Sequence, residues 1–184
     1  SVAGGLSLNG IGGANISVPV VSVKESRFRT VVKQQYDFSC GSAALATLLT
    51  YHYGRPTNET TIFEGMFETG DKELIQKQGF SLLDMKTYLA SIGLEADGYR
   101  VPLDAIAEAE IPAIVLVETR GYRHFVVLKG MNETEVLIGD PAYGVSIMKR
   151  SAFAPLMVSE VAFVIRDDAE LAQANFNAER DWAV

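Results

Sequence analysis

Apolar and polar positions along this chain fall into two textures, a helical period in the first half and an extended one in the second. From Cys40 to Tyr53, Ala44, Leu45, Leu48, Leu49 and His52 recur at helical spacing and Gly54 with Arg55-Pro56 supplies the stop, which predicts an amphipathic helix. A short helix is expected over Thr60–Met66 with Asn58 as its cap, and Asp71–Gln78 reads as a loop or broken turn. Ser81 then caps a helix whose apolar face is Leu82, Leu83, Met85, Leu89 and Ile92 and which ends at Gly93. Past Leu94 the texture changes. Glu95–Val101 reads as a strand, Leu103–Ala109 as a short helix led by Pro102, and Ala113–Glu118 as the continuous apolar run of a buried strand. His124–Lys129, Glu135–Gly139 and Val145–Met148 follow as an antiparallel meander with turns at Gly130–Thr134 and Pro141–Gly144. A short helix near Ser151–Leu156 and a strand over Glu160–Ile165 complete the pattern.

Ahead of Cys40, residues 1–15 are rich in glycine and read as a flexible arm, Ile16–Val23 as a strand, and Phe28–Lys33 as an extended run leading to Gln34. The tail over Asp167–Val184, charged and alanine-rich, is a final helix or a frayed end. The expected organisation is an arm and first strand at 1–24, one domain at 25–166 and a tail at 167–184. The fold class is α+β, a helical N-terminal half carrying a cysteine at a helix N-terminus and packed on an antiparallel β-sheet.

Composition alters this picture little. A chain of 184 residues, 48% hydrophobic and 21% charged, suits a single domain with a substantial core. A net charge of -7 without a Lys/Arg cluster argues against a nucleic-acid partner. No apolar run reaches the ~18 residues of a membrane span. The start at Ser1, without methionine, reads as the mark of a processed or truncated product.

The candidate chemistry begins with Cys40, the only cysteine, at the mouth of the first long helix. Unpaired N–H groups and the positive end of the helix dipole stabilise a thiolate there, so the thiol is expected below its ordinary pKa of about 8.5. A lone cysteine is also commonly inert packing, so partners must be sought. Of the two histidines, His52 lies about three turns from Cys40 on the same helix, too far to touch it. His124 opens an apolar strand, a position expected at a sheet edge or cleft, where it is either the partner or a capping group. Asp140 lies at the end of the strand that would pair with that of His124. A hairpin sets the two ends side by side, where the carboxylate orients the ring; Asp-Pro also starts turns, and both readings stand.

Gln34, Cys40-Gly41-Ser42-Ala43-Ala44-Leu45, Gly79-Phe80-Ser81-Leu82-Leu83, His124-Phe125-Val126-Val127 and Asp140-Pro141-Ala142 together resemble the C39 peptidases, papain-like cysteine proteases that cut bacteriocin leaders. The likeness covers roughly Val31 to Ile165. It implies a catalytic set of Cys40, His124 and Asp140, with Gln34 helping to build the oxyanion hole, and no metal or organic cofactor. Asp37 reads as a structural or capping group. The best-known members are the first domain of an ABC transporter. This chain, with no membrane helices or P-loop, is more similar to stand-alone members encoded with bacterial functional-amyloid export systems. That implies an exported, periplasmic setting and a protein or peptide substrate, Gly-rich secreted or amyloid-system proteins being the candidates. A non-cleaving peptide-binding or chaperone module, and an acyltransferase using the same triad, remain as alternatives.

Overall fold

The computed structural model describes residues 5–9, 15–19 and 23–184. Gly5–Asn9 (β1) and Asn15–Pro19 (β2) pair antiparallel, Leu6 opposite Val18 and Leu8 opposite Ile16, and Val23–Ser26 forms one helical turn, α1. Gly5–Asn9, read from sequence as part of a glycine-rich arm without regular structure, thus forms a strand, the two short segments satisfying one another's main-chain groups. Residues 1–4, 10–14 and 20–22 of the expected arm and strand lie outside the described residues. Arg27–Thr30 is a turn, not part of an extended run, because Phe28 and Arg29 donate their N–H groups back to Glu25 and Ser26 (3.2 and 3.3 Å).

After a 3-10 turn at Asp37–Ser39, α2 spans Cys40–His52, within one residue of its predicted end. It is not amphipathic. Every residue from Gly41 to Leu49 is buried, because the face that would meet water carries only Ser42, Ala43, Ala46 and Thr47. Their small side chains admit neighbours on that side too, and the two hydroxyls bond to helix carbonyls, Ser42 to Ser39 (2.9 Å) and Thr47 to Ala43 (2.8 Å). Around it lie α3 (Glu59–Thr69), α4 (Lys72–Gln78) and α5 (Leu82–Ser91). Asn58 caps α3 as expected. The residues expected as a loop form α4, capped by Asp71 and buried only through Ile75, an element too short to display a period. In α5 Ser81 and Asp84 cap one another reciprocally and Met85 and Leu89 face the core, whereas Leu83, expected on the apolar face, is 70% exposed.

The second half runs β3 (Ala96–Arg100), α6 (Leu103–Ala109), β4 (Ala113–Thr119), β5 (Tyr122–Met131), β6 (Glu135–Asp140), β7 (Gly144–Lys149), α7 (Arg150–Phe153) and β8 (Met157–Ile165), then α8 (Ala169–Asn175) and α9 (Glu179–Trp182). Among the described residues, β3 to β8 form one antiparallel sheet in the order β3-β8-β4-β5-β6-β7. Strand β5 starts two residues earlier than expected. Arg120 and Gly121 both take positive φ (53° and 79°) in a two-residue hairpin turn that sets Thr119 opposite Tyr122. It is an interior strand, so His124 stands at the end of a central strand and not at a sheet edge.

Alternation along β4 and β5 divides the core. Ile114, Phe125 and Val127 pack with Leu45, Leu48, Met66 and Leu89 under the helices, while Val115, Val126 and Leu128 meet Ile106, Phe153 and Phe176 on the other face. The tail folds back on this body through buried Ala172, Phe176 and Asp181.

A buried charge ties these parts together. Lys129 is the extra residue where the β5–β6 register shifts, and it is fully buried. Its ammonium donates to the Thr30 carbonyl (2.8 Å), lies 3.3 Å from His52 Nε2 and forms an ion pair with the Asp181 carboxylate (3.5 Å). Burial pulls its pKa down to about 8 against the opposing pull of Asp181. His52, buried and facing that ammonium, is held well below the ordinary imidazole range. The tail also satisfies the main chain at this break: Asn177 N–H donates to the Lys129 carbonyl (3.0 Å), and the Asn177 side chain bonds both main-chain groups of Met131. Lys129→Met should cost up to about 3 to 5 kcal/mol, because buried Asp181 then keeps only the half-exposed Arg180 (3.8 Å) as a cation, and adding Asp181→Asn should recover part of that loss. Urea denaturation of both variants checks this, and a single-variant cost below about 1 kcal/mol would show that the pair does not hold the tail.

Candidate active site

The segment that leads into α2 is laced to three separate elements by its own main chain. Val32 N–H donates to Thr47 Oγ1 of α2 (2.9 Å), Gln34 N–H to the Pro141 carbonyl after β6 (3.0 Å), and Gln35 N–H to Glu59 Oε2 of α3 (3.0 Å). Gln34 and Asp140-Pro141, more than a hundred residues apart, therefore become neighbours. The 3-10 turn that follows closes on the Tyr36 carbonyl, which accepts from Ser39 N–H (3.1 Å), Ser39 Oγ (2.9 Å) and Gln34 Nε2 (3.1 Å). Glu59 was not singled out by sequence; its signal is that a first-turn glutamate of α3 is buried, which requires donors.

Cys40 opens α2 and lines a cleft of about 650 Å³ between Phe38, Phe80 and Leu83 on one side and His124 and Phe125 on the other. The main-chain N–H of Phe125 in β5 favours its thiolate, and those of Gly41 and Cys40 do so as a helix N-terminus should. Burial outweighs them, with the nearby Asp140 charge adding to it, and the thiol is pushed above its ordinary value. The expectation of a depressed thiol pKa is corrected accordingly: the helix amides act in the anticipated direction, but desolvation is the larger effect. A proton leaves this sulfur readily only if a neighbour accepts it and remains as a compensating cation.

His124 and Asp140 are joined. Nε2 of the ring lies 3.0 Å from Asp140 Oδ2, with both residues buried. Toward a carboxylate, which only accepts, Nε2 is the donor, and in the neutral ring Nδ1 then keeps a lone pair. That Nδ1 is buried and takes no hydrogen bond among the described residues. The other carboxylate oxygen, Oδ1, accepts from Ala142 N–H (2.8 Å) and Tyr143 N–H (3.4 Å), so Asp140 starts the turn and holds the histidine at once. Thus His124 and Cys40 share the cleft, Asp140 holds the ring, and Gln34 sits beside the Asp140 turn with one amide hydrogen bonded to Tyr36. Gln34 Oε1 is buried and takes no hydrogen bond among the described residues. His52 lies in the Lys129 cluster, away from the cleft. The side chain of Asp37 is outside the described residues.

This chain matches the model of the peptidase C39 family over residues 29–168. It is 48% identical over 133 residues to a Pseudomonas aeruginosa protein named "Probable functional amyloid protease FapD", covering 72% of this chain and 59% of that one. A Pseudomonas fluorescens protein of the same name is 45% identical over 83% of this chain and 68% of its own length. The chain thus spans about three-fifths to two-thirds of these relatives. Among solved structures, the peptidase domain of Streptococcus ComA superposes with a TM-score of 0.60 at 22% identity, over 74% of this chain and 96% of that domain, a likeness of fold. A double-glycine motif protease from an AMS/PCAT transporter, in complex with its leader peptide, gives 0.58 at 25% identity over 73% and 89%. The α+β architecture described above is therefore that of the papain-like C39 peptidase domains.

The raised thiol makes a signed prediction. If its proton goes to His124, Cys40 should react with iodoacetamide at pH 6.5, whereas in His124→Ala the thiolate should appear only above the ordinary range near pH 8.5, slowing the reaction at pH 6.5 at least about tenfold. Equal rates in the two proteins would mean that sulfur and ring do not share a proton.

Proposed function

Because this chain belongs to the peptidase C39 family, we propose that it is a cysteine endopeptidase cutting a secreted protein or peptide, with Cys40, His124, Asp140 and Gln34 as its catalytic set. The observation that carries this reading is the His124 ring, with Nε2 held by Asp140 and a buried Nδ1 lone pair unspent in the cleft of the only thiol. In this scheme Nδ1 takes the thiol proton, Sγ attacks the peptide carbonyl, and the imidazolium is balanced by Asp140. The oxygen that gains charge is met by the Cys40 N–H and by the second amide hydrogen of Gln34. His124 returns its proton to the leaving amine, and water, deprotonated by the same nitrogen, releases the acyl group.

The relatives named as functional amyloid proteases make an amyloid-system protein the first substrate to try. Such a substrate is met outside the cytoplasm, so the enzyme is proposed to act after export, in the periplasm. No helix of the described residues is long and apolar enough to cross a membrane. The aromatic walls at Phe38, Phe80 and Phe125 favour small residues beside the cut, in keeping with the neighbour described as a double-glycine motif protease. We take residues 25–166 as the peptidase unit.

Incubation with candidate amyloid-system proteins, followed by mass spectrometry, should yield defined fragments that Cys40→Ala does not produce. Asp140→Asn should retain the fold and lose about 10³ to 10⁴ in kcat, and Gln34→Ala about 10² to 10³. Cleavage by Cys40→Ala would remove the thiol from the mechanism. Binding without cleavage by the intact chain would point to a peptide-binding module, and a product joined to an added amine to an acyltransferase.

A further inference from the structure

We propose that Tyr122 is a positioning residue for His124, its ring covering one face of the imidazole, keeping water from the His124–Asp140 hydrogen bond and favouring the protonated ring through its π face. The two rings stack with centroids 5.2 Å apart and planes 20° from parallel. Two residues apart on β5, the side chains stand on the same face of the strand. The hairpin turn at Arg120-Gly121 fixes the main chain immediately before Tyr122, so the ring is delivered by rigid structure. Its exposure argues against simple core packing: Tyr122 is 46% exposed while His124 is only 6% exposed. An aromatic half in water adds little to a core, yet one of its faces is spent on the histidine.

The arrangement matters when the ring is charged. A cation within about 6 Å of an aromatic centroid is attracted to the negative π face. The groups that bear on that charge are Asp140 from β6, Cys40 from α2 and Arg123 next in the strand, itself paired with Glu118 of β4 at 3.3 Å. Arg123 opposes an imidazolium, and Tyr122 together with Asp140 favours it. Because thiol ionisation here requires the imidazole to take the proton, anything that favours the protonated ring also favours the thiolate.

This inference rests on the Cys40–His124 pairing proposed above, and the test separates the two. The rate of Cys40 alkylation by iodoacetamide is measured from pH 5 to 9 in the intact chain and in Tyr122→Ala, Tyr122→Phe and His124→Ala, with kcat and KM wherever a cleavable peptide is in hand. In Tyr122→Ala the alkylation curve should move to higher pH, with the rate at pH 6 and kcat each falling about 3- to 30-fold and KM staying within about twofold. Tyr122→Phe, which keeps the ring, should restore both. Should Tyr122→Ala not fold, Tyr122→Leu fills similar space without a π face and carries the same expectation for the pH curve. An unshifted curve with slow His124→Ala would overturn the role of Tyr122 alone. So would a raised KM at unchanged kcat, which marks a substrate contact, or a Phe variant as impaired as the Ala variant. His124→Ala reacting like the intact chain would instead overturn the Cys40–His124 pairing, and the role of Tyr122 with it.

Discussion

The structure depends on the burial of α2 on all its sides. A helix with no solvent face has no freedom to slide or roll, because any displacement opens a void against packed neighbours. Its N-terminus is therefore a fixed point, and Cys40 occupies it. The same packing sets the cost: a thiol fixed in that place is largely removed from water, and the neutral form is favoured despite the helix amides aimed at it. The location that fixes the Cys40 thiol in place also makes its ionisation depend on a proton acceptor.

The histidine that shares the cleft with Cys40 arrives from the other half of the chain through a series of short-range constraints. The hairpin turn at Arg120-Gly121 begins β5, β5 pairs with β6, and β6 ends on the Asp140-Pro141 turn. The carbonyl of Pro141 then accepts the N–H of Gln34, six residues before the cysteine. Each link is a main-chain hydrogen bond or a strand register, and together they locate Gln34, Cys40, His124 and Asp140 relative to one another. Asp140 shows how economical the arrangement is, one carboxylate oxygen forming the turn and the other holding the imidazole.

Lys129 plays a related part further from the chemistry. Placed at the register shift of β5, it joins the turn before Gln34, the last residue of α2 and the C-terminal tail through Thr30, His52 and Asp181. A buried ammonium whose hydrogen-bonding and charge partners come from three distant segments favours one arrangement of those segments, and so couples the tail to the strand that bears His124.

Much of this was legible in the amino-acid order. The span of α2, the caps at Asn58 and Ser81, the apolar run of β4, the strands β5 to β7 and the candidates Cys40, His124 and Asp140 follow from local patterns and residue chemistry, and Gln34 from the resemblance to the C39 peptidases. The misreadings have two causes. The seven residues of α4 and the turn at Arg27–Thr30 are too short to show a period, and the small residues of α2 look like a polar face until the elements that cover them are in place. The direction of the Cys40 pKa, the acceptor role of Glu59, the tail's return through Asp181 and the stacking of Tyr122 on His124 were decided by the tertiary structure. Desolvation and contacts between distant segments exist only once the chain has closed on itself, and no local pattern carries them.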